Sequence, residues 1–278
     1  MKKVIITVLS VTFLVFIIFL ILGSLFTDKY INDEISKISN DQGPAKSIAG
    51  IDSLNSFPLV LNKYFGYAII DSNASPKSVK INLSGKLKTD ENSEWKNLIV
   101  EQYYSIAKPG YVWNSKLEMN RFVWARAIES YSSGKGNILI KLFSSIKISD
   151  AFGNPVDQSC LTRYLIESVF FPTALLPGGN LYWKFIDQGK LKAVIRDGSL
   201  NAEAVFYFNN IGQIVKIETS DRYRTIKTGY SKTQFSITFS DYKLFGGFNI
   251  PTSFSTNWHT EKGIFNFGKF NITGVQYN

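Results

Sequence analysis

The chain opens on an uninterrupted apolar run and then changes to an alternating pattern. Residues 4–26 carry no charged side chain. At ~1.5 Å per residue a helix over them spans about 35 Å, enough for a hydrocarbon core of ~30 Å. Lys2 and Lys3 precede the run, whereas Asp28, Lys29, Asp33 and Glu34 follow it. The bias of positive charge orients such a span with its N-terminus cytoplasmic and the rest of the chain extracytoplasmic. A cleaved signal peptide has a shorter apolar region, roughly 7–15 residues, ending in a small-x-small site. This run is longer and closes on Gly23-Ser24-Leu25-Phe26, so residues 1–26 read as an uncleaved anchor. Residues 27–56 are polar and read as a helical extension of the anchor followed by a linker, divided by the Asp-Gln-Gly-Pro turn at 41–44.

A domain over residues 57–278 follows. Leu59, Val60, Lys63 and Tyr64 fall at helical spacing after Ser56, a candidate cap, and Pro58, so a short helix is expected over 57–68. From residue 77 the period becomes two, with Val79, Ile81 and Leu83 on one face of a strand at 77–84. Further strands are expected at 96–107, 111–114, 119–130 and 136–149. Residues 157–176 break the alternation: Leu161, Leu165, Ile166 and Val169 form a broad apolar arc of a helix that Asp157 or Ser159 caps and Pro172 ends near Phe171. Strands resume at 181–187, 190–196, 202–208, 213–219, 233–245, 248–258 and 263–274, with Asp197-Gly198 as a hairpin signal. The pattern predicts an α+β fold: a mostly antiparallel curved β-sheet, an open half-barrel meander with helices on its concave side, preceded by one N-terminal transmembrane helix.

Composition narrows the chemistry. The formal charge is +9, but the basic residues are dispersed and no nucleic-acid motif is present, so no nucleic acid is expected as a partner. Cys160 and His259 are the only residues of their types, which excludes a Cys/His zinc site and leaves a Ser-His or Cys-His catalytic pair with one histidine to draw on. No metal, cofactor or catalytic residue is assigned. Aromatic residues make up 15% of the chain, which suits a β-rich core or, alternatively, an apolar ligand pocket.

Arg163 and Glu167 stand four residues apart on one helix face. They read either as a grip for a lipid head group or other anion at the mouth of a cavity, or as an ion-pair clamp between helix and sheet. Arg222 and Arg224, in Ser-Asp-Arg-Tyr-Arg-Thr, share one face if that stretch is a strand, where they meet a phosphate or Glu167, or face solvent. Trp113, Trp124, Trp183 and Trp258 fall in strands and line either a pocket or the core.

Several strings resemble a bacterial family of unknown function: Phe-Pro-Leu-Val-Leu-Asn-Lys-Tyr-Phe (57–65), Tyr-Val-Trp (111–113), Gly-Lys-Gly (134–136) and Leu-Thr-Arg-Tyr-Leu-Ile-Glu-Ser-Val-Phe-Phe-Pro (161–172). Trp183, Asn-Asn-Ile-Gly-Gln-Ile (209–214), Arg222 with Arg224, Asp-Tyr (241–242), Phe-Gly-Gly-Phe-Asn-Ile-Pro (245–251) and Trp258 extend the resemblance to about residues 55–276. Its meander is similar to the half-barrel of periplasmic lipoprotein carriers and mycobacterial lipid-binding lipoproteins, from which an uncleaved anchor departs. The resemblance and the pattern together imply a membrane-tethered domain that binds an apolar or lipid-like ligand in the hollow of a curved sheet, with Arg163, Glu167, Trp183, Arg222 and Arg224 as ligand-binding residues. The alternatives are a cell-envelope enzyme using Glu167 with Arg163, and an interaction module of an envelope complex.

Overall fold

The structure, a computed structural model, describes residues 1–41, 43, 58–227 and 229–278. The first helix, α1 (Lys2–Asn40), is continuous through the apolar run and 14 residues past it. Its interior hydroxyls need no outside partner: Thr7 and Thr12 donate to the carbonyls of Lys3 and Val8, both at 2.9 Å, which is how an apolar helix tolerates them. Past residue 26 the helix is not a free tether. Ile31, Ile35 and Ile38 form a stripe that packs on Val112, Ile128 and Leu139. The Ser56 cap and the linker expected after residue 41 lie, apart from Gly43, outside the described residues.

Among the described residues the sheet has thirteen strands, all antiparallel. The chain lays down β1 (Ser78–Leu87), β2 (Lys96–Ser105), β3 (Gly110–Glu118), β4 (Trp124–Ser132), β5 (Lys135–Leu142) and β6 (Ile146–Phe152) as a meander towards one edge. Helix α3 (Asn154–Glu167) and two 3-10 turns (Ser168–Phe170 and Pro172–Leu175) carry it to the opposite edge. There β7 (Leu181–Asp187), β8 (Lys190–Asp197), β9 (Leu200–Phe208) and β10 (Ile214–Thr219) run inwards, a separate hairpin of β11 (Tyr223–Ile226) and β12 (Gly229–Lys232) intervenes, and β13 (Phe235–Phe245), β14 (Phe248–Thr260) and β15 (Gly263–Tyr277) finish beside β1. The last strand thus pairs with the first, Val79 opposite Tyr277.

Alternation assigns the two faces. Val79, Ile81, Leu83, Val100, Tyr104, Tyr111 and Tyr131 join one core with α3 and with α2 (Leu59–Ala68) on the concave side, whereas Val112 and Ile128 point outwards to α1. The core is aromatic, and its tyrosines are chosen over phenylalanine because most hydroxyls have a partner. Tyr164 donates to the carbonyls of Ser105 and Ile106 at 3.0 Å, Tyr277 to Phe170 O at 2.7 Å, and Tyr131 to Asp197 Oδ2 at 2.7 Å. The Tyr131–Asp197 bond ties β4 to the β8–β9 turn and draws the two wings of the sheet together.

The expectations for three elements need correction. The strand expected at 119–130 begins only at Trp124, because Asn120 folds residues 119–123 into a turn, its Oδ1 accepting the amides of Phe122 at 2.9 Å and Val123 at 3.0 Å. The stretch 136–149 is not one strand but the β5–β6 hairpin, turned at Phe143 and Ser144 in the left-handed region without glycine, φ 53° and 60°. Ring contact of Phe143 with Trp124, centroids 5.1 Å apart, accompanies that turn. Helix α3 starts at Asn154, where Pro155 occupies the first turn, so the Gly-Asn-Pro stretch opens the helix instead of merely preceding it. Asp157 does not cap it; its carboxylate accepts Gly136 N at 2.8 Å and pairs with Lys135 at 3.1 Å. The α-helix stops at Glu167 and tightens into one 3-10 turn, Ser168–Phe170, before Pro172.

Gly136 fixes how close α3 comes to β5, since a Cβ there would lie 2.7 Å from Cys160 Sγ and 3.0 Å from Val156 O. Gly136→Ala is therefore expected to destabilise by about 1–3 kcal/mol. Gly66→Ala, in α2 with nothing within 4 Å of the new methyl, is expected to be neutral or stabilising by up to about 1 kcal/mol. Thermal unfolding of the full chain in detergent checks both.

Candidate functional site

The site is built on one pleat row. On the concave face Gln102, Trp113, Glu129 and Ile138 stand opposite one another across β2, β3, β4 and β5. Glu129 is the anomaly: Ala125, Ala127 and Tyr131 share its side of β4, and an ionised carboxylate among them is costly unless paired. Its partner comes from α3. The helix is seated by Gly136 N on Asp157, by Gln158 Nε2 on Asn201 O at 2.8 Å, and by Tyr223 N on Ser159 Oγ at 2.8 Å. That seating points Arg163 at the row.

Arg163 Nη1 donates to Glu129 Oε2 at 2.8 Å, and its Nε lies 3.0 and 3.1 Å from the two oxygens of Glu167. The guanidinium passes over the Trp113 ring at 4.8 Å and near Tyr111 at 5.7 Å. Each carboxylate has a second donor: Tyr111 Oη to Glu129 and Tyr104 Oη to Glu167. Cys160 Sγ adds a 3.6 Å contact to Glu129. Both carboxylates and the arginine are buried or nearly so.

Burial opposes every charge here, and the pairings decide the outcome. For Glu129 burial raises the pKa, but Arg163, Arg222 and the Tyr111 hydroxyl outweigh it and hold the carboxyl below the usual range. For Arg163 burial works against ionisation and Glu129 with Glu167 overcome it. Burial, then Glu129, pushes the Cys160 thiol well up, so this cysteine is protonated and not a nucleophile.

Arg222 is different. It does not lie in a strand with Arg224; it precedes β11 and stacks on Phe235 at 4.5 Å and Trp258 at 5.5 Å. Its Nε is buried without an acceptor. Burial lowers its pKa, Glu129 partly offsets that, and Arg163 adds to the lowering. It therefore neighbours the Arg163 cluster electrostatically without joining its hydrogen bonds.

Of the five residues singled out from sequence, Arg163, Glu167 and Arg222 come together. Arg224 turns away to Glu91 at 3.3 Å and sits over Phe265. Trp183 packs on Phe206 and Phe208 and donates to Leu175 O at 3.0 Å, in the wing formed by β7 to β9. Sequence reasoning missed Glu129, Tyr104, Tyr111 and Gln102. A lone acid on the apolar side of β4 was the available signal. His259 contacts Ser236 Oγ at 2.8 Å through Nε2. Among the described residues no group of three His, Cys, Asp or Glu side chains is placed to hold a metal.

Arg163→Met keeps much of the volume but strands two buried carboxylates, and a loss of about 3–5 kcal/mol is expected. The same cluster sets an acid limb. The folded pKa of Glu129 lies below its unfolded value of about 4.3, so its contribution is present above that pH and lost as pH falls through the folded value. Melting temperature measured from pH 7 to pH 3 should fall in the wild type, and Glu129→Gln should start lower and lose less over the same range.

Comparison with known proteins places the chain by sequence. Residues 55–277 match the family described as "Family of unknown function (DUF6920)". A search of the curated proteins finds no match. Solved structures similar to the chain include a DUF1329 family protein from Desulfovibrio piger, at 8% identity over 84% of this chain and 94% of that one, with a TM-score of 0.41. A LolA superfamily protein from Nitrosomonas europaea follows at 10% identity over 79% and 92%, TM-score 0.37. A beta-barrel-like protein of domain DUF1849 from Brucella abortus matches at 10% identity over 74% and 99%, TM-score 0.28. With four-fifths of its length matched, the chain belongs to DUF6920, a family of unknown function.

Proposed function

We propose that this protein is held in a membrane by α1, N-terminus cytoplasmic, and that its extracytoplasmic domain takes an amphiphilic, lipid-like ligand with an anionic head on the concave face of the sheet. The observation that carries the ligand is Arg222. Its guanidinium lies on two aromatic rings, its Nε is buried without an acceptor, and it has no ion pair among the described residues. An unmet buried donor costs about 1–3 kcal/mol, and an anion that accepts from it removes that cost. Arg163 does not offer this, because Glu129 and Glu167 already occupy it.

The surroundings suit an acyl chain. Trp113, Ile138, Phe265 and Phe267 are half-buried apolar side chains packed against the concave core, and Trp258 stacks on Phe267 at 5.8 Å. The anchor is supported by exposure and by attachment. Residues 4–26 leave Phe13, Leu14, Phe19, Leu22 and Phe26 bare, a surface that a bilayer covers and water does not favour. Cleavage near residue 26 would remove the Leu20 and Gly23 contacts with Ser145 and cut through one continuous helix. The enzyme alternative finds no support in Glu167, whose oxygens are committed to Arg163 and Tyr104.

The test is native mass spectrometry of the full chain, stripped in detergent and offered oleate or phosphatidylglycerol. One bound lipid is expected, its affinity reduced about tenfold or more in Arg222→Met, which keeps the ring packing but loses the charge-assisted bonds. Retention unchanged by Arg222→Met, or no binding of either lipid, rejects the reading. Which of the two binds tells a carboxylate head from a phosphate.

A further inference from the structure

Helix α1 carries a ruler for how deep the domain sits. The β5–β6 turn lies against it: Ser145 Oγ donates to Leu20 O at 2.8 Å, and Thr27 Oγ1 to Ser144 O at 2.6 Å. Gly23 is where helix and turn touch, since even a Cβ there would collide with Ser145. The turn thus runs beside the last two turns of the apolar run. Leu20 is about 9 Å deeper than Phe26 at ~1.5 Å per residue.

The helix then runs along the strands. At its far end Asp41 pairs with Lys108 and accepts from Ser133 at 3.2 Å, and Ser133 closes the β4–β5 turn. From Thr27 to Asp41 the helix rises about 21 Å, and from Lys135 to Leu142 the strand covers about 23 Å. Helix and strands are therefore nearly collinear, and the strand ends near Ser144 are the ones nearest the apolar run.

Next to the β5–β6 turn is the β3–β4 turn. Trp124 donates to Ser144 Oγ at 3.3 Å and meets the Phe143 ring. Residues 119–123 project beyond the last pair of that ladder, Glu118 opposite Trp124. At their tip Phe122 is 77% exposed, and Met119 at the start of the turn is partly so. Two cations lie beside them: Arg121 at 5.6 Å from the Phe122 ring and Lys116 at 4.7 Å from Trp124. Glu118 beside them is bonded by Asn97. An apolar tip within a collar of tryptophan, lysine and arginine is the composition of a membrane interface.

We infer that the β3–β4 turn is a second membrane contact, with Phe122 inserted among the head groups of the outer leaflet beside α1. This rests on the reading of α1 as a span. Two contacts, one through the helix and one through the turn, fix the tilt of the domain, so that β3 to β5 stand upright on the bilayer.

The full chain in phosphatidylglycerol-containing nanodiscs tests this by bimane fluorescence with doxyl-labelled lipid as quencher. Reporters are Phe13→Cys in mid-helix, Phe122→Cys at the turn and Lys135→Cys at the far end of β5; Cys160 is buried and stays unlabelled. Quenching at Phe13 and Phe122 at least twofold above that at Lys135 is expected. Quenching at Phe13 with Phe122 no higher than Lys135 overturns the turn contact and leaves the span standing. Absence of quenching at Phe13 overturns the span, and the turn contact with it.

Discussion

A guanidinium enclosed by two carboxylates inside an aromatic core is the interaction on which the arrangement of this domain depends. Arg163 comes from α3, Glu129 from β4, and the tyrosines that complete the carboxylates from β2 and β3. Four elements are therefore specified relative to one another by one charge. A hydrophobic contact tolerates sliding; a charge buried between two acceptors does not, because displacement leaves an ion unpaired in low dielectric. The helix that bridges the two wings of the sheet is held in register by that penalty.

The same physics separates the two arginines of the hollow. Arg163 has both of its sides filled, Glu129 at Nη1 and Glu167 at Nε. Arg222 is instead stacked on Phe235 and Trp258 with its Nε unmet. One guanidinium has carboxylate partners on two sides; the other has an Nε without an acceptor.

The long first helix has a comparable double character. Its apolar half is bare and its polar half is docked, through Ile31, Ile35 and Ile38 and through Asp28 on Arg126 at 2.6 Å. A helix that crosses from one environment into the other without a break passes its orientation to the domain. A flexible tether would not. On the proposed reading of α1, the domain's distance and tilt are set by side-chain packing instead of linker length.

Sequence by itself determined the local periods. The unbroken apolar run, the alternation of Val79, Ile81 and Leu83, and the glycine and proline turns gave the meander and most of its strands, because period and turn chemistry act over a few residues. The Arg163–Glu167 pair was legible for the same reason: four residues on a helix is a local distance. The turns at 119–123 and 143–145 escaped, one built by an asparagine side chain and the other by left-handed phenylalanine and serine, neither a strong breaker. Only the tertiary structure decided that Glu129 meets Arg163, that Arg222 and Arg224 part, that Trp183 belongs to another wing, and that α1 docks on the outer face. Each of these joins residues far apart in the chain, and such pairings are fixed by burial and charge compensation across the whole sheet, which no short window of sequence contains.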